Sequence, residues 1–426
     1  MKQLANRWLM GLATLALGLS FIVTYAQEPV VLLTLEARAI LPAATFAEGP
    51  ASGAAIDPAG ANGVTVPFES HPVQGISAVL PAETEGHWLV LSDNGYGAKG
   101  NSADYNLRWY EVAVDFAAGS VEVVGFTQLS DPNTLVPFPI VNQETEDRVL
   151  TGADFDIESF RRLPDGSFYV GEEFGPYLLH FSAEGVLLAA PIPTPYPAEL
   201  GEFARGLDFV QSPQHPDFVG LADNDARSAA ANLPGSRGFE GMAISPDGAT
   251  LYSMLEGPLV DDTNRNRLLI QAFDVASAAY GEDYWYYPMT LPGNAIGEMT
   301  AINANQFIVI ERDGGQGADA YFKRIFLVDF TNLGEDGHTL NKTLIADLLA
   351  IADSNGLTQP ESGAVGLGPV FKFPFVTIES VWPVDADTLL VINDNNFPFS
   401  TGRRPGVPDD NEFILITLPQ ALNLGG

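Results

Sequence analysis

The sequence predicts an all-β protein of the β-propeller class. Three observations predict it: one hairpin recurs along the chain, strand-like segments without sustained helical periodicity separate its copies, and turn formers abound, with 42 Gly and 31 Pro. The clearest copy runs from Gly238-Phe239-Glu240-Gly241-Met242-Ala243-Ile244 through the turn Ser245-Pro246-Asp247-Gly248 to Leu251-Tyr252-Ser253-Met254-Leu255-Glu256-Gly257. Pro246 presets the turn's φ and Gly248 accepts a positive one. Glu240 opens the first strand and Glu256 closes the second, so an antiparallel pairing brings both carboxylates to the open end of the hairpin.

The other copies follow in chain order. Gly75-Ile76-Ser77-Ala78-Val79 with Trp88-Leu89-Val90-Leu91-Ser92-Asp93 is the weakest. Ile157-Glu158-Ser159-Phe160 leads through Leu163-Pro164-Asp165-Gly166 to Phe168-Tyr169-Val170-Gly171-Glu172-Glu173. Ile296-Gly297-Glu298-Met299 leads to Phe307-Ile308-Val309-Ile310-Glu311, and Ile378-Glu379-Ser380-Val381 leads to Leu389-Leu390-Val391-Ile392-Asn393-Asp394. Outer strands are expected at 107–114, 177–181, 268–273 and 324–330, with a closing strand at 412–417. Residues 340–352 read as a short helix or strand, and the Pro-rich, polar stretch 191–235 as a long loop or insertion near one face. Five visible hairpins leave room for a copy that has drifted, so six blades are predicted, with seven the alternative. An N-terminal strand around Val30–Leu35 would complete the last blade.

Residues 1–26 read as a signal peptide: Lys2 and Arg7 precede an apolar run from Trp8 to Val23, and Ala26 stands before the expected cut at Gln27. An uncleaved anchor is the other reading, although the run is short for a membrane span. The remainder, 27–426, is expected to be one domain, because the copies run from about 74 to 396 without a low-complexity linker. The expected location is secreted or periplasmic. The absence of cysteine excludes a disulfide scaffold, a cysteine nucleophile and thiolate metal sites.

With 20 basic against 54 acidic residues the formal charge is −34. Nucleic acid and anionic membranes are poor partners for that field, and cations are good ones. If each hairpin is the inner pair of a blade, its open end faces one mouth of the central channel. Asp93, Glu158, Glu172, Glu240, Glu256, Glu298, Glu379 and Asp394 are then candidate metal ligands, with Glu173 and Glu311 beside them. Crowded carboxylates repel unless a cation neutralises them, and oxygen-only donors, Asn94, Asn393, Asn395 and Asn396 among them, suit Ca²⁺. The same acids would serve equally to brace blade junctions by accepting loop N–H groups; their crowding at one end favours the metal. Asp154-Phe155-Asp156-Ile157-Glu158 places three carboxylates on one side of an extended chain, as a ligand face or a solvated one.

Arginine is scarce enough for its positions to matter. Arg108, Arg237, Arg267, Arg312, Arg324 and Arg403 flank the acidic ends, either as structural ion partners or as forks for an anionic substrate. Asp262-Thr263-Asn264-Arg265-Asn266 starts like a calcium loop, but Arg267 and Phe273 stand where an EF-hand needs Gly and Glu. No Gly-x-Ser-x-Gly elbow, dinucleotide fingerprint or Walker loop is present, and the five histidines lack metal-ligand spacing.

Several strings together resemble the phytase-like, "esterase-like activity of phytase" family of exported bacterial proteins. They are Ser92-Asp93-Asn94-Gly95-Tyr96-Gly97, Arg162-Leu163-Pro164-Asp165-Gly166, Glu172-Glu173-Phe174-Gly175-Pro176, Arg237-Gly238-Phe239-Glu240-Gly241, Ile296-Gly297-Glu298, Glu311-Arg312-Asp313 and Asn393-Asp394-Asn395-Asn396-Phe397-Pro398. The resemblance covers about 70–405 and implies a propeller with a loose link to calcium-dependent phytases. The resulting expectation is a monomeric Ca²⁺-dependent hydrolase of a small anionic ester. Glu173 or Glu311 would be its base, Arg312 or Arg237 would hold the anionic group, and the remaining arginines would bind substrate. The alternatives are a non-catalytic propeller that binds a glycan, peptide or protein, and a lactonase-type calcium propeller.

Overall fold

A computed structural model describes residues 32–425, so the expected signal peptide lies outside the described residues. Each hairpin predicted from sequence forms the inner pair of a four-stranded antiparallel blade. Blade I comprises Ile76–Pro81, His87–Ser92, Arg108–Asp115 and Ser120–Gln128; blade II comprises Ile157–Arg162, Phe168–Glu172, Tyr177–Phe181 and the short Ile192–Pro193. Blade III comprises Phe239–Ile244, Thr250–Leu255, Arg267–Asp274 and Ala279–Pro288; blade IV comprises Ala295–Ala301, Gln306–Arg312, Lys323–Leu333 and Leu340–Asp347. Blade V takes Thr377–Pro383, Thr388–Asp394 and Asn411–Thr417 from the end of the chain, and its fourth strand, Leu33–Leu41, from the beginning. The first strands of the blades pack side by side from I to V and back to I, which closes a ring around a channel.

The count is therefore five among the described residues, not six or seven. No drifted copy exists in the described chain; the long segments between blades are loops. Each junction between consecutive blades holds its own apolar cluster. Ala78, Trp109, Phe160 and Phe168 fill the I–II junction, and Ile308, Ile310, Val381 and Val391 fill IV–V. This explains why the second strands, such as Phe307-Ile308-Val309-Ile310, are buried on both faces and read as continuous apolar runs. Turn chemistry follows the sequence: Gly248 sits at φ +72 and its N–H donates to Ser245 O at 2.8 Å.

The closing strand is locked by charge as well as by pairing. Arg38 on it and Arg403 both donate to Glu412, at 2.8 and 2.7 Å. Burial would raise the Glu412 carboxyl, but Arg403 and Arg38 hold it down at about 2. Residues 340–347 are a strand, and 191–235 contains blade II's last strand, two 3₁₀ turns and one helix, Asn224–Ala230, capped by Asp223. Among the described residues no helix is long and apolar enough to cross a membrane.

Candidate metal centre at the channel mouth

The acids reach the mouth through a bulge repeated in every blade. Pairing between the first two strands skips one residue: Ser77 in blade I, Glu158 in II, Glu240 in III, Gly297 in IV and Glu379 in V. A bulge leaves its extra residue unpaired and re-aims its side chain, so Glu158, Glu240 and Glu379 occupy one structural position and line one cavity. Blade IV has no acid there because a Cβ on Gly297 would lie 2.0 Å from Ile378 O. A second set lies where the returning strand ends. Asp93, Glu173, Glu256, Arg312 and Asp394 are equivalent, each directly after or at the last paired residue of the second strand.

The cavity these residues enclose measures about 200 Å³ and adds Asp156, Asn94, Ser236, Thr377 and Asn396 to its wall. Eight carboxylates thus face one guanidinium, Arg312. Arg312 lies 2.8 Å from Glu379, 3.5 Å from Glu240 and 3.6 Å from Glu256. Burial would lower its pKa, but Glu379, Glu240 and Glu256 raise it, so it stays charged and serves that side of the ring. No cation lines the opposite wall; Lys99 and Arg237 act on Asp156 and Glu173 only from outside the cavity. There Asp156, Glu158 and Glu173 each offer an oxygen within 4.8 Å of the others, and all three are buried. Glu173 Oε1 is enclosed without a hydrogen-bond partner.

The electrostatic consequence is uniform in direction. Burial first, then the charges of Asp156, Glu240, Glu379 and Glu173, push Glu158 well above the usual carboxylate range. Burial and then Glu256 and Asp156 do the same to Glu173, and burial with Glu379 and Glu256 to Glu240. Burial with Asp394 and Asp156 raises Asp93, and burial with Glu379 brings Asp394 to about 7. Asp156 rises by burial to about 6, restrained by hydrogen bonds from Glu158 and Asn94. Glu379 is raised by burial against the pull of Arg312. Two carboxylates about 4 Å apart repel by about 4 kcal/mol at the dielectric of a protein surface. A site of this kind either retains protons or takes up a cation. The donor set fits a hard divalent ion: only oxygens, one of them unpartnered, and all close enough together to reach one ion.

Several expected site residues lie elsewhere. Glu172 and Glu311 stand one position before the mouth set and point the other way. Glu172 accepts the N–H groups of Phe174, Gly175 and Tyr177, at 2.9, 2.6 and 2.9 Å. Glu311 accepts from Tyr287, Thr290, Asn294 and Lys342, the last at 2.5 Å. Both are braces, not ligand or base. Glu298 follows the bulge and pairs with Arg161 at 2.9 Å. Blades II and IV are not neighbours, so this pair crosses the channel axis and plugs it below the mouth; Arg161 also lines the cavity at the turn end of the ring.

Of the arginines, Arg237 is at the rim, its side chain 44% exposed and 3.8 Å from Glu256. Arg108 is held by Gln128 and Glu48 O over the Phe126 ring, Arg267 by Asp262 over Tyr286, and Arg324 by Asp347. Arg403 belongs to the Glu412 clamp. These four are not at the mouth. Of the Asp154–Glu158 face, Asp156 and Glu158 reach the mouth, whereas Asp154 turns to the N–H groups of Val141 and Thr151; Asp156 sits opposite Glu173 in the hairpin, with Glu173 N donating to Asp156 O at 2.9 Å. The equivalent positions are Gly75, Gly238, Ala295 and Thr377, so the hairpin repeat alone does not single it out.

Fold and site together define an all-β propeller with an acidic channel mouth built on blade bulges. A family model described as "Phytase-like: Esterase-like activity of phytase" matches residues 71–397, and the chain belongs to that family. An uncharacterized secreted protein of Arthroderma benhamiae is 26% identical over 177 residues, 37% of this chain and 34% of that protein; the chain thus matches about a third of that relative's length. Among solved structures, a luciferin-regenerating enzyme overlays with TM-score 0.36 at 11% identity, covering 93% of this chain and 98% of that one. The periplasmic gluconolactonase of Pseudomonas aeruginosa overlays with TM-score 0.30 at 12% identity, covering 90% and 99%. The propeller assignment itself rests on this chain's own strand pairing and ring closure.

Proposed function

We propose that the protein is an exported, Ca²⁺-dependent ester hydrolase that works on phosphate or related esters at the acidic mouth. The observation that carries this reading is the gathering of eight carboxylates around one cavity of about 200 Å³ with a single guanidinium among them. Asp156, Glu158 and Glu173 would hold the ion, with Asp93 and Asp394 completing the acidic wall. When bound, Ca²⁺ supplies positive charge against the anion that develops on an ester under attack. Glu173 would hold the ion through one carboxylate oxygen and accept the proton of the attacking water on the other. Arg312 holds Glu240 and Glu379 in place, and Arg237 at the rim orients an anionic group of the substrate. Family membership and the secreted relative support export and hydrolysis.

The test is hydrolysis of a small panel of phosphate, carboxylic and lactone esters by protein lacking residues 1–26, calcium-free and after calcium is restored. Turnover that appears only with calcium, on one ester class, is the expected result. Turnover unaffected by calcium removal would refute the metal's role. Absence of turnover on every class would favour a binding module.

A further inference from the structure

Cations in this chain are few, and from Arg38 to Arg404 most are set against a carboxylate. Arg108, Arg162 and Arg265 are held instead by amide or backbone oxygens, and Lys372 is exposed; Lys99 and Arg227 differ in sharing one cavity. Among the described residues neither has a carboxylate within 4.0 Å. Lys99 Nζ donates to Gln214 O at 3.1 Å and lies 4.5 Å from the centre of the Phe174 ring, and no side-chain partner holds the Arg227 guanidinium. The two line the same cavity, about 380 Å³, with Ala98, Pro213 and Val219 as apolar walls.

That cavity adjoins the acidic mouth. Asn94 and Gly97 line the mouth, and the next residues in the chain, Ala98 and Lys99, line the cleft. On the other side Gln214 Nε2 donates to Ser236 Oγ at 2.5 Å, and Ser236 again lines the mouth. The wall of this cleft, of small-molecule size, carries two half-buried cations and no acid; Glu172, Asp154 and Asp156 act on Lys99 only from outside it, so the cleft itself offers a place for an anion.

We propose that Lys99 and Arg227 bind an oxyanion, phosphate or carboxylate, carried by the substrate beyond the ester held at the mouth. The arginine offers a bidentate fork and the lysine a point charge, while Ala98, Pro213 and Val219 flank the carbon body between the two groups. Esters with a second anionic substituent are then the preferred class. The role of the ester rests on the hydrolase reading; the anion site does not.

The experiment separates the two. Calcium-free protein is titrated by calorimetry with inorganic phosphate and, separately, with succinate, for wild type, Arg227→Gln, Lys99→Gln and Glu158→Gln. Saturable binding is expected, weakened about tenfold in Arg227→Gln and at least as much in Lys99→Gln, and unchanged in Glu158→Gln. Arg227 sits half-buried on a short surface helix, so its variant remains readable if Lys99→Gln fails to fold. Phosphate binding without succinate names a phosphoryl group, succinate without phosphate names a carboxylate, and binding of both leaves the site general for oxyanions. No saturable binding of either, or binding indifferent to Arg227→Gln, overturns the proposal. Each of these outcomes holds whether or not the ester panel shows turnover.

Discussion

Glu158→Gln is expected to lower calcium affinity by at least about 100-fold, beyond the range typical of outer partners to a metal, and to lower calcium-dependent turnover comparably. The effect on the calcium-free protein should have the opposite sign. Glu158 is buried against Asp156, Glu240, Glu379 and Glu173, all of which resist its ionisation. A neutral isostere removes that repulsion, so the calcium-free variant should be more stable than calcium-free wild type at pH 8, by on the order of 1 kcal/mol. Wild type at calcium about 100-fold above its Kd gains about 2.7 kcal/mol; a variant weakened about 100-fold gains only about 0.4 kcal/mol under the same conditions. Glu311→Gln is the control. It strips Lys342 of its carboxylate deep in blade IV and should cost about 3 kcal/mol, while the calcium response stays. Thermal unfolding of the three proteins with and without calcium checks both signs together. A Glu158 variant that loses stability without calcium and keeps its calcium gain would assign Glu158 to bracing.

Calcium-free wild type should be less stable at pH 8 than at pH 5. Asp156 and Asp394 have folded values of about 6 and about 7, above the carboxylate's ordinary 3.8. Below the unfolded pKa both states hold the proton and the favourable contribution is complete. As pH rises through about 6 and then about 7 the folded protein gives up those protons, and the contribution is lost. Between pH 5 and pH 8 Asp394 alone accounts for a fall on the order of 3 kcal/mol. Glu412 does not mask this window. Its folded value of about 2 is depressed, so its stabilisation is present above its unfolded pKa and disappears only as pH falls through 2. Saturating calcium neutralises the ionised mouth and should flatten the fall. Denaturant midpoints at pH 5 and 8, with and without calcium, measure it; a calcium-free midpoint that rises with pH would contradict the crowding argument.

The hairpins, the closing N-terminal strand and the acidic mouth were legible because the sequence repeats them. In Ile157-Glu158, Phe239-Glu240 and Ile378-Glu379 the acid follows a large apolar residue at the same strand position, and the shared bulge gives them one direction. Ile296-Gly297-Glu298 shows the limit of that reading. There the glycine takes the bulge, Glu298 is shifted by one, and a one-residue shift in a strand turns the side chain elsewhere. The same alternation separates Glu173 from Glu172 and Arg312 from Glu311. Blade count was not legible, because segments such as 129–156 and 353–376 are long enough for strands yet fold mostly as loops. Arginine roles were illegible for a different reason: each has several acids within reach in sequence, and only the fold decides that Arg267 meets Asp262 and Arg403 meets Glu412 while Arg312 meets Glu379 across a blade junction.

The most direct measurement is a calorimetric titration of calcium into calcium-free protein at pH 6 and pH 8, each in two buffers of unlike ionisation enthalpy. The account predicts saturable binding that releases protons at pH 6 and fewer at pH 8, since the mouth carboxylates must ionise to take the ion. No saturable binding up to millimolar calcium, or binding without proton release at pH 6, would contradict it.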